Sequence, residues 1–390
     1  MFNEEIISKF NQIETPFYYY DLGLLKKTLD ELIQESSKRN YKIHYALKAN
    51  SNDRILKLIS DAGLGADCVS GNEITKAVST GFKNDEIVFA GVGKSDKEIR
   101  TAFENNIACF NVESIQELEV INLIASVQNK IAPIALRINP NVDANTHHYI
   151  TTGLEENKFG INTWELPTIL EKLPALKSTQ LIGLHFHIGS QITDLNVFKG
   201  LCIRINEIQN WFDEHNIQLN NINVGGGLGI NYENPNSELI PDFKSYFQIF
   251  EKFLELRQGQ EVHFEIGRAI VGQCGALISR VLYIKEGINT NFVILDAGMT
   301  ELIRPALYQS YHKIENLTNC GLRISDFGLK KYDIVGPICE SSDTFAKHIQ
   351  LPETKRGDLI VIRSVGAYGE VMTSRYNLRN FVSHYFSDQI

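Results

Sequence analysis

KIHYALKANSNDRILKLIS, residues 42–60, reads as one complete strand–helix unit. Its first part, 42–47, is a short apolar run with β-branched and aromatic residues, the composition of a buried strand. Asn52 then stands ahead of Asp53 as a cap before an acidic first turn. Ile55, Leu58 and Ile59 follow at helical spacing. The same alternation recurs outward along the chain. Strand candidates fall at 64–68, 87–90, 107–111, 133–138, 182–187, 221–224 and 262–266, which with 42–47 makes eight. Helical patterns fall at 72–79, 96–105, 114–126, 163–173, 196–214 and 242–256, with Ser95 as a second cap and Ile115, Leu118 and Ile121 on one face. Eight strands alternating with helices predict an α/β fold, a (β/α)8 barrel over about residues 24–273, ahead of a doubly wound sheet. After that the pattern changes. Stretches 277–284, 291–296, 332–335, 358–364 and the earlier 16–20 look like strands without regular helices between them. They predict a second, mostly β domain built from residues 1–23 with 274–390.

Composition agrees with a large folded protein. The chain has 390 residues, 43% hydrophobic and 22% charged, too long for one ordinary domain and with ample apolar material for a core. A net charge of -9 disfavours nucleic acid or an anionic membrane as the main partner. No apolar run reaches the roughly 18 residues that span a bilayer, and the start lacks the layout of a signal peptide. A cytoplasmic protein is expected. Cys68, Cys109, Cys202, Cys274, Cys320 and Cys339 form no CxxC pattern. They are expected to be reduced and mostly buried.

Barrel active sites lie at the C-terminal ends of strands, so the residues ending each strand candidate matter most. Lys48 closes the first. It is either a solvated surface lysine or an amine partly desolvated among apolar neighbours, which makes a Schiff-base nucleophile. His185 and His187 end the sixth strand on one face; a structural histidine competes with a stacking or acid/base role, and no third ligand has metal spacing. Gly225, Gly226 and Gly227 end the seventh, where barrels often bind phosphate on backbone N–H groups. Glu265 and Arg268 end the eighth, either as a simple ion pair or as partners for a cationic ring nitrogen and an anion. An amine, a histidine, phosphate-type glycines and a carboxylate fit pyridoxal phosphate. No metal is expected.

At this point the chain resembles a known family over nearly its whole length. The stretches YALKAN (45–50), NKFG (157–160), HFHIGSQ (185–191), GGG (225–227), EIGR (265–268), DAGMTELIRPALY (296–308), GPICESSD (336–343) and GAYG (366–369) are similar to motifs of the fold-type III pyridoxal phosphate-dependent decarboxylases, and within them the diaminopimelate decarboxylases. The resemblance implies decarboxylation of meso-2,6-diaminopimelate to L-lysine and CO2, a step of lysine biosynthesis. It implies that Lys48 holds the cofactor aldehyde, His187 stacks on the ring and Glu265 pairs with the ring nitrogen. Ser190, Gly225 to Gly227, Gly267, Arg268 and Tyr368 belong to the cofactor side, with Arg268 and Tyr368 shared with substrate. Arg304 and Tyr308 hold the distal carboxylate, Glu340 the distal ammonium, and Cys339 delivers a proton to Cα. In the family Cys339 and its neighbours come from a partner subunit, so a homodimer with shared active sites is expected. Planar Arg suits bidentate recognition of a carboxylate. Ser342, Ile266, His148 and Glu370 depart from the usual residues of the family. The alternatives are a decarboxylase of another basic amino acid or carboxynorspermidine, and a non-catalytic pyridoxal phosphate-binding protein. The stretch 143–160 is long enough to serve as a lid.

Overall fold

The computed structural model describes residues 2–142, 158–318 and 328–390. By its contacts the chain forms two compact units, one made of Leu29–Gly229 and Asp242–Gly267, the other of Met1–Thr28, Ile230–Pro241 and Arg268–Ile390. Most of the expected lid stretch, residues 143–157, and with it His148, lies outside the described residues, as does Cys320.

Strand β1 (Phe17–Tyr20) belongs to the second unit. The first unit is a barrel of eight parallel strands: β2 (Lys42–Ala46), β3 (Gly65–Cys68), β4 (Ile87–Phe89), β5 (Cys109–Val112), β6 (Ala132–Arg137), β7 (Thr179–His185), β8 (Asn221–Asn223) and β9 (Glu261–Ile266). Each pairs with the next, and β9 closes on β2 from Lys42↔His263 to Tyr45↔Ile266. All eight sequence-derived strands are present, and closure excludes the doubly wound sheet. The helices start where side chains can satisfy the first orphan N–H groups. Asn52 accepts from the Arg54 N–H. Ser70, Ser95 and Ser114 accept from the N–H groups of Glu73, Glu98 and Glu117, a Ser-x-x-Glu spacing used three times and closed into a full capping box at Ser95. Each such cap contributes about 1 kcal/mol.

The second unit carries β1, β10 (Gly275–Glu286), β11 (Asn291–Leu295), β12 (Ile314–Asn316), β13 (Leu329–Val335), β14 (Thr344–Pro352), β15 (Leu359–Ile362) and β16 (Ser383–Phe386). The 12-residue β10 is its spine: the first half pairs with β1 and β15, and after a register shift at Val281/Tyr283 the second half pairs with β11. Phe10, Phe17, Tyr19, Ile278, Leu359 and Val361 pack into its core. A (β/α)8 barrel with a mostly β companion is thus the observed architecture.

Four differences from the sequence reading have local causes. A helix at Leu22–Ser37 buries Leu25, Leu29 and Leu32, a periodicity that the first strand–helix unit overshadowed. A second helix, Glu4–Phe10, precedes β1. A third, Arg304–Tyr308, sits among strands with Pro305 in its first turn. Residues 230–241 and 268–273 group with the β unit rather than with the barrel span. Gln273 Nε2 donates to the carbonyls of Asn231 and Glu238 there, and Tyr232 bonds Arg268.

Candidate active site

Six barrel strands carry a buried polar residue in their last or last-but-one position: Asp67, Asn111, Arg137, His185, Asn223 and Glu265. Buried polar groups cost free energy unless hydrogen-bonded, so this ring is either self-satisfied or waits for a ligand. It does both.

Glu265 is the satisfied part. Its Oε1 accepts from Asn111 Nδ2 at 3.1 Å and Asn223 Nδ2 at 2.8 Å, and its Oε2 accepts from His185 Nε2 at 2.9 Å. Burial alone would raise its pKa, but His185, then Lys48, hold the carboxyl far below the usual range. It is a fixed anion with three of about four acceptor positions filled. His187 is half-buried, and the Gly226 N–H donates to its Nδ1 at 3.3 Å, so the ring proton sits on Nε2. Burial, reinforced by Arg137 and Lys48, pushes its pKa well down and keeps the imidazole neutral.

Lys48 stands in the 3-10 turn Leu47–Ala49 that leaves β2, between two buried neighbours, with its own side chain partly exposed. Its Nζ lies 3.3 Å from Asp67 Oδ2. Asp67 is fully buried, and its Oδ1 has no partner among the described residues. Burial, with Glu265 nearby, pushes its carboxyl up to about 6 against the pull of Lys48. Sequence reasoning missed Asp67, because nothing in GADC marks it.

The glycines are required sterically. A Cβ on Gly225 would stand 2.1 Å from the Phe186 carbonyl oxygen, and one on Gly226 would stand 1.9 Å from that of Glu265. Gly225 and Gly227 also have φ of +74° and +108°. Of their N–H groups, Gly225 donates to Asn223 Oδ1 and Gly226 to His187. Only the Gly227 N–H remains for an anion among the described bonds. Gly267 serves packing: a Cβ there would meet Ala49 and Ala46 at 2.9 and 3.1 Å, beside the Lys48 turn. Ser190 follows Gly189 in the turn after β7 and is half-buried.

The β unit carries further candidate residues. Arg268 is buried, donates to Tyr232 Oη at 2.5 Å and lies 4.8 Å from the Tyr368 ring. Arg304, also buried, donates to the same Tyr232 Oη at 2.8 Å, to His312 Nε2 at 3.1 Å and to Ser310 Oγ at 3.3 Å. His312 Nδ1 in turn contacts the Arg363 carbonyl at 2.9 Å. Burial and Arg304 push its pKa to about 3, so it is a neutral acceptor. No carboxylate pairs with Arg304 among the described residues. Tyr308 is half-buried at the end of the short helix and makes no hydrogen bond among the described residues; Tyr232, which carried no sequence signal, bonds Arg304.

Cys339 and Glu340 are exposed. The Cys339 N–H donates to Asn377 Oδ1, and Glu340 accepts from the Tyr376 hydroxyl at 2.6 Å. Asp343 shapes that loop by accepting the Ile338 and Met299 N–H groups at 2.7 and 2.6 Å. Tyr368 adopts φ +56°, a left-handed backbone uncommon for a non-glycine residue. Glu370, a departure from the family pattern, has work of its own: it accepts from the Tyr20 hydroxyl at 2.6 Å and contacts His384 Nδ1 at 2.9 Å.

The barrel residues suit pyridoxal phosphate. An amine beside an orphaned buried carboxylate oxygen, a fixed anion for a ring nitrogen, a neutral imidazole for stacking and a glycine turn with a spare N–H are the groups that this cofactor uses.

Comparison with known proteins agrees. The family described as "Pyridoxal-dependent decarboxylase, pyridoxal binding domain" matches residues 24–272. The diaminopimelate decarboxylase of Bacteroides thetaiotaomicron is 56% identical over 385 residues, covering 98% of each chain. That of Helicobacter pylori is 44% identical over 383 residues, 97% of this chain and 91% of its own. The crystal structure of a Helicobacter pylori diaminopimelate decarboxylase complexed with L-lysine aligns with a TM-score of 0.89 at 42% identity, covering 98% of this chain and 94% of that one. With a family match over most of its length and relatives of this identity spanning nearly all of it, the chain belongs to the pyridoxal-dependent decarboxylases, in the diaminopimelate decarboxylase family.

Proposed function

We propose that the protein converts meso-2,6-diaminopimelate to L-lysine and CO2 with pyridoxal 5'-phosphate as cofactor. Family membership and relatives that carry this activity in their names support the reading. The observation that carries the substrate class is Arg304, a buried guanidinium held, among the described residues, only by neutral acceptors. A buried cation without a counter-ion is costly, and a ligand carboxylate removes that cost. A substrate whose far end is purely cationic would raise it, which disfavours the other basic amino acids and carboxynorspermidine.

When bound, the cofactor supplies a conjugated ring that takes up the electron pair left as the Cα–carboxylate bond breaks. Lys48 would hold the cofactor through its amine. Glu265, kept ionised by His185, keeps a proton on the ring nitrogen. Neutral His187 would hold the cofactor ring by stacking. Ser190, Gly225 to Gly227, Arg268 and Tyr368 serve the phosphate side, and Arg268 and Tyr368 also meet the substrate. Arg304 and Tyr308 receive the distal carboxylate and Glu340 the distal ammonium. The Cys339 thiol supplies the proton that replaces CO2 at Cα. Cys339 and Glu340 act across a homodimer. No helix among the described residues is long and apolar enough to cross a membrane; we assign the enzyme to the cytoplasm.

The direct test of the cofactor role is Lys48→Ala. Borohydride reduction of the wild-type holoenzyme should fix the cofactor to the peptide containing Lys48. The variant should show no such adduct and release no CO2. Turnover by Lys48→Ala would overturn the proposal.

A further inference from the structure

The Tyr232 hydroxyl sits between two buried guanidiniums, and its hydrogen-bond count is informative. A phenol has one donor and two acceptor positions. Arg268 and Arg304 donate into both acceptor positions, at 2.5 and 2.8 Å. The hydroxyl proton therefore points away from both cations, and no acceptor receives it among the described residues. The ring is fixed as well: the two guanidinium carbons lie 5.8 and 5.2 Å from its centroid, and the His312 ring meets it edge-on at 5.0 Å. Two like charges held by one neutral atom form a pre-arranged receptor for an anion. Among the described residues all the partners of Arg304 are neutral, so none of them offsets its charge.

We infer that Tyr232 is a positioning and specificity-determining residue: it sets the orientation of Arg304 relative to Arg268 and turns its own O–H to the substrate carboxylate that Arg304 receives. The assignment rests on the proposed function for the identity of the substrate, but its test does not. Burial opposes ionisation of the phenol while the two guanidiniums favour it, and the net shift is downward. That makes the O–H a stronger donor to a carboxylate.

Decarboxylation removes one carboxylate and leaves the other, so L-lysine keeps the far amino-acid group. 1,5-Diaminopentane has neither carboxylate. Holoenzyme of Tyr232→Phe keeps the ring and loses only the hydroxyl. The KM for meso-diaminopimelate and the inhibition constant of L-lysine should both rise roughly 10- to 100-fold, the range for a hydrogen bond to a charged group. Inhibition by 1,5-diaminopentane should be unchanged, kcat should stay within a few-fold, and the absorbance of the cofactor should match wild type. Equal weakening of all three ligands, or of none, overturns the assignment. So does loss of cofactor or early melting of the variant, which would mean that the hydroxyl carries the fold. Should the wild type release no CO2 from meso-diaminopimelate, the functional proposal falls, while the lysine-to-diaminopentane selectivity still decides the role of Tyr232.

Discussion

Replacing Asp67 by Asn should make the barrel more stable at neutral pH while slowing the enzyme. Asp67 is fully buried, one oxygen has no partner among the described residues and the other meets Lys48 at 3.3 Å. Burial and the Glu265 anion raise its pKa from 3.8 to about 6. For a carboxyl whose folded pKa lies above its unfolded one, the ionised form is a burden on the folded state. That burden is full above pH 6, shrinks as pH falls from 6 towards 3.8, and is gone below. A rise from 3.8 to about 6 corresponds to ~3 kcal/mol. Asn has nearly the same shape and no charge, so the variant should gain up to ~3 kcal/mol at pH 7.5 and almost nothing at pH 4. Both tryptophans, Trp164 and Trp211, lie in the barrel unit, so their fluorescence during urea unfolding reports the relevant transition. Turnover should fall, because the Lys48 amine loses its counter-charge. An equal stability change at both pH values, or a net loss at pH 7.5, would refute the reasoning.

Gly226→Ala should fail more severely than an ordinary surface change, since the added methyl would lie 1.9 Å from the Glu265 carbonyl oxygen. A loss of several kcal/mol, about 3 or more, should appear in thermal melts together with poor cofactor retention. Glu265→Gln keeps the shape but turns an amide N–H2 towards one of three buried donors. It should cost about 1–3 kcal/mol in stability and roughly 100-fold or more in CO2 release at saturating cofactor.

The barrel was legible because its strands are buried on both faces and read as continuous apolar runs between capped helices. Ser70, Ser95 and Ser114 mark helix starts by local chemistry alone. The β unit was harder to read. Strand β14 lacks clean alternation and passes through His348 at φ +58°, and β12 has only three residues. At the site, Lys48, His187 and Glu265 were legible since strand ends locate chemistry in barrels. Asp67 was not, for its meaning lies in being buried beside Lys48 from another strand. Tyr232 was not either: its partners Arg268 and Arg304 are 36 and 72 residues away, and only the folded chain brings them to one oxygen.

The central claim meets its most direct test in CO2 release by purified holoenzyme offered meso-diaminopimelate, arginine, ornithine and carboxynorspermidine separately, with the product amine identified. The account predicts release from meso-diaminopimelate alone, with L-lysine formed in equal amount. Release from one of the other three, or from none despite a cofactor fixed to Lys48 by borohydride, would contradict it.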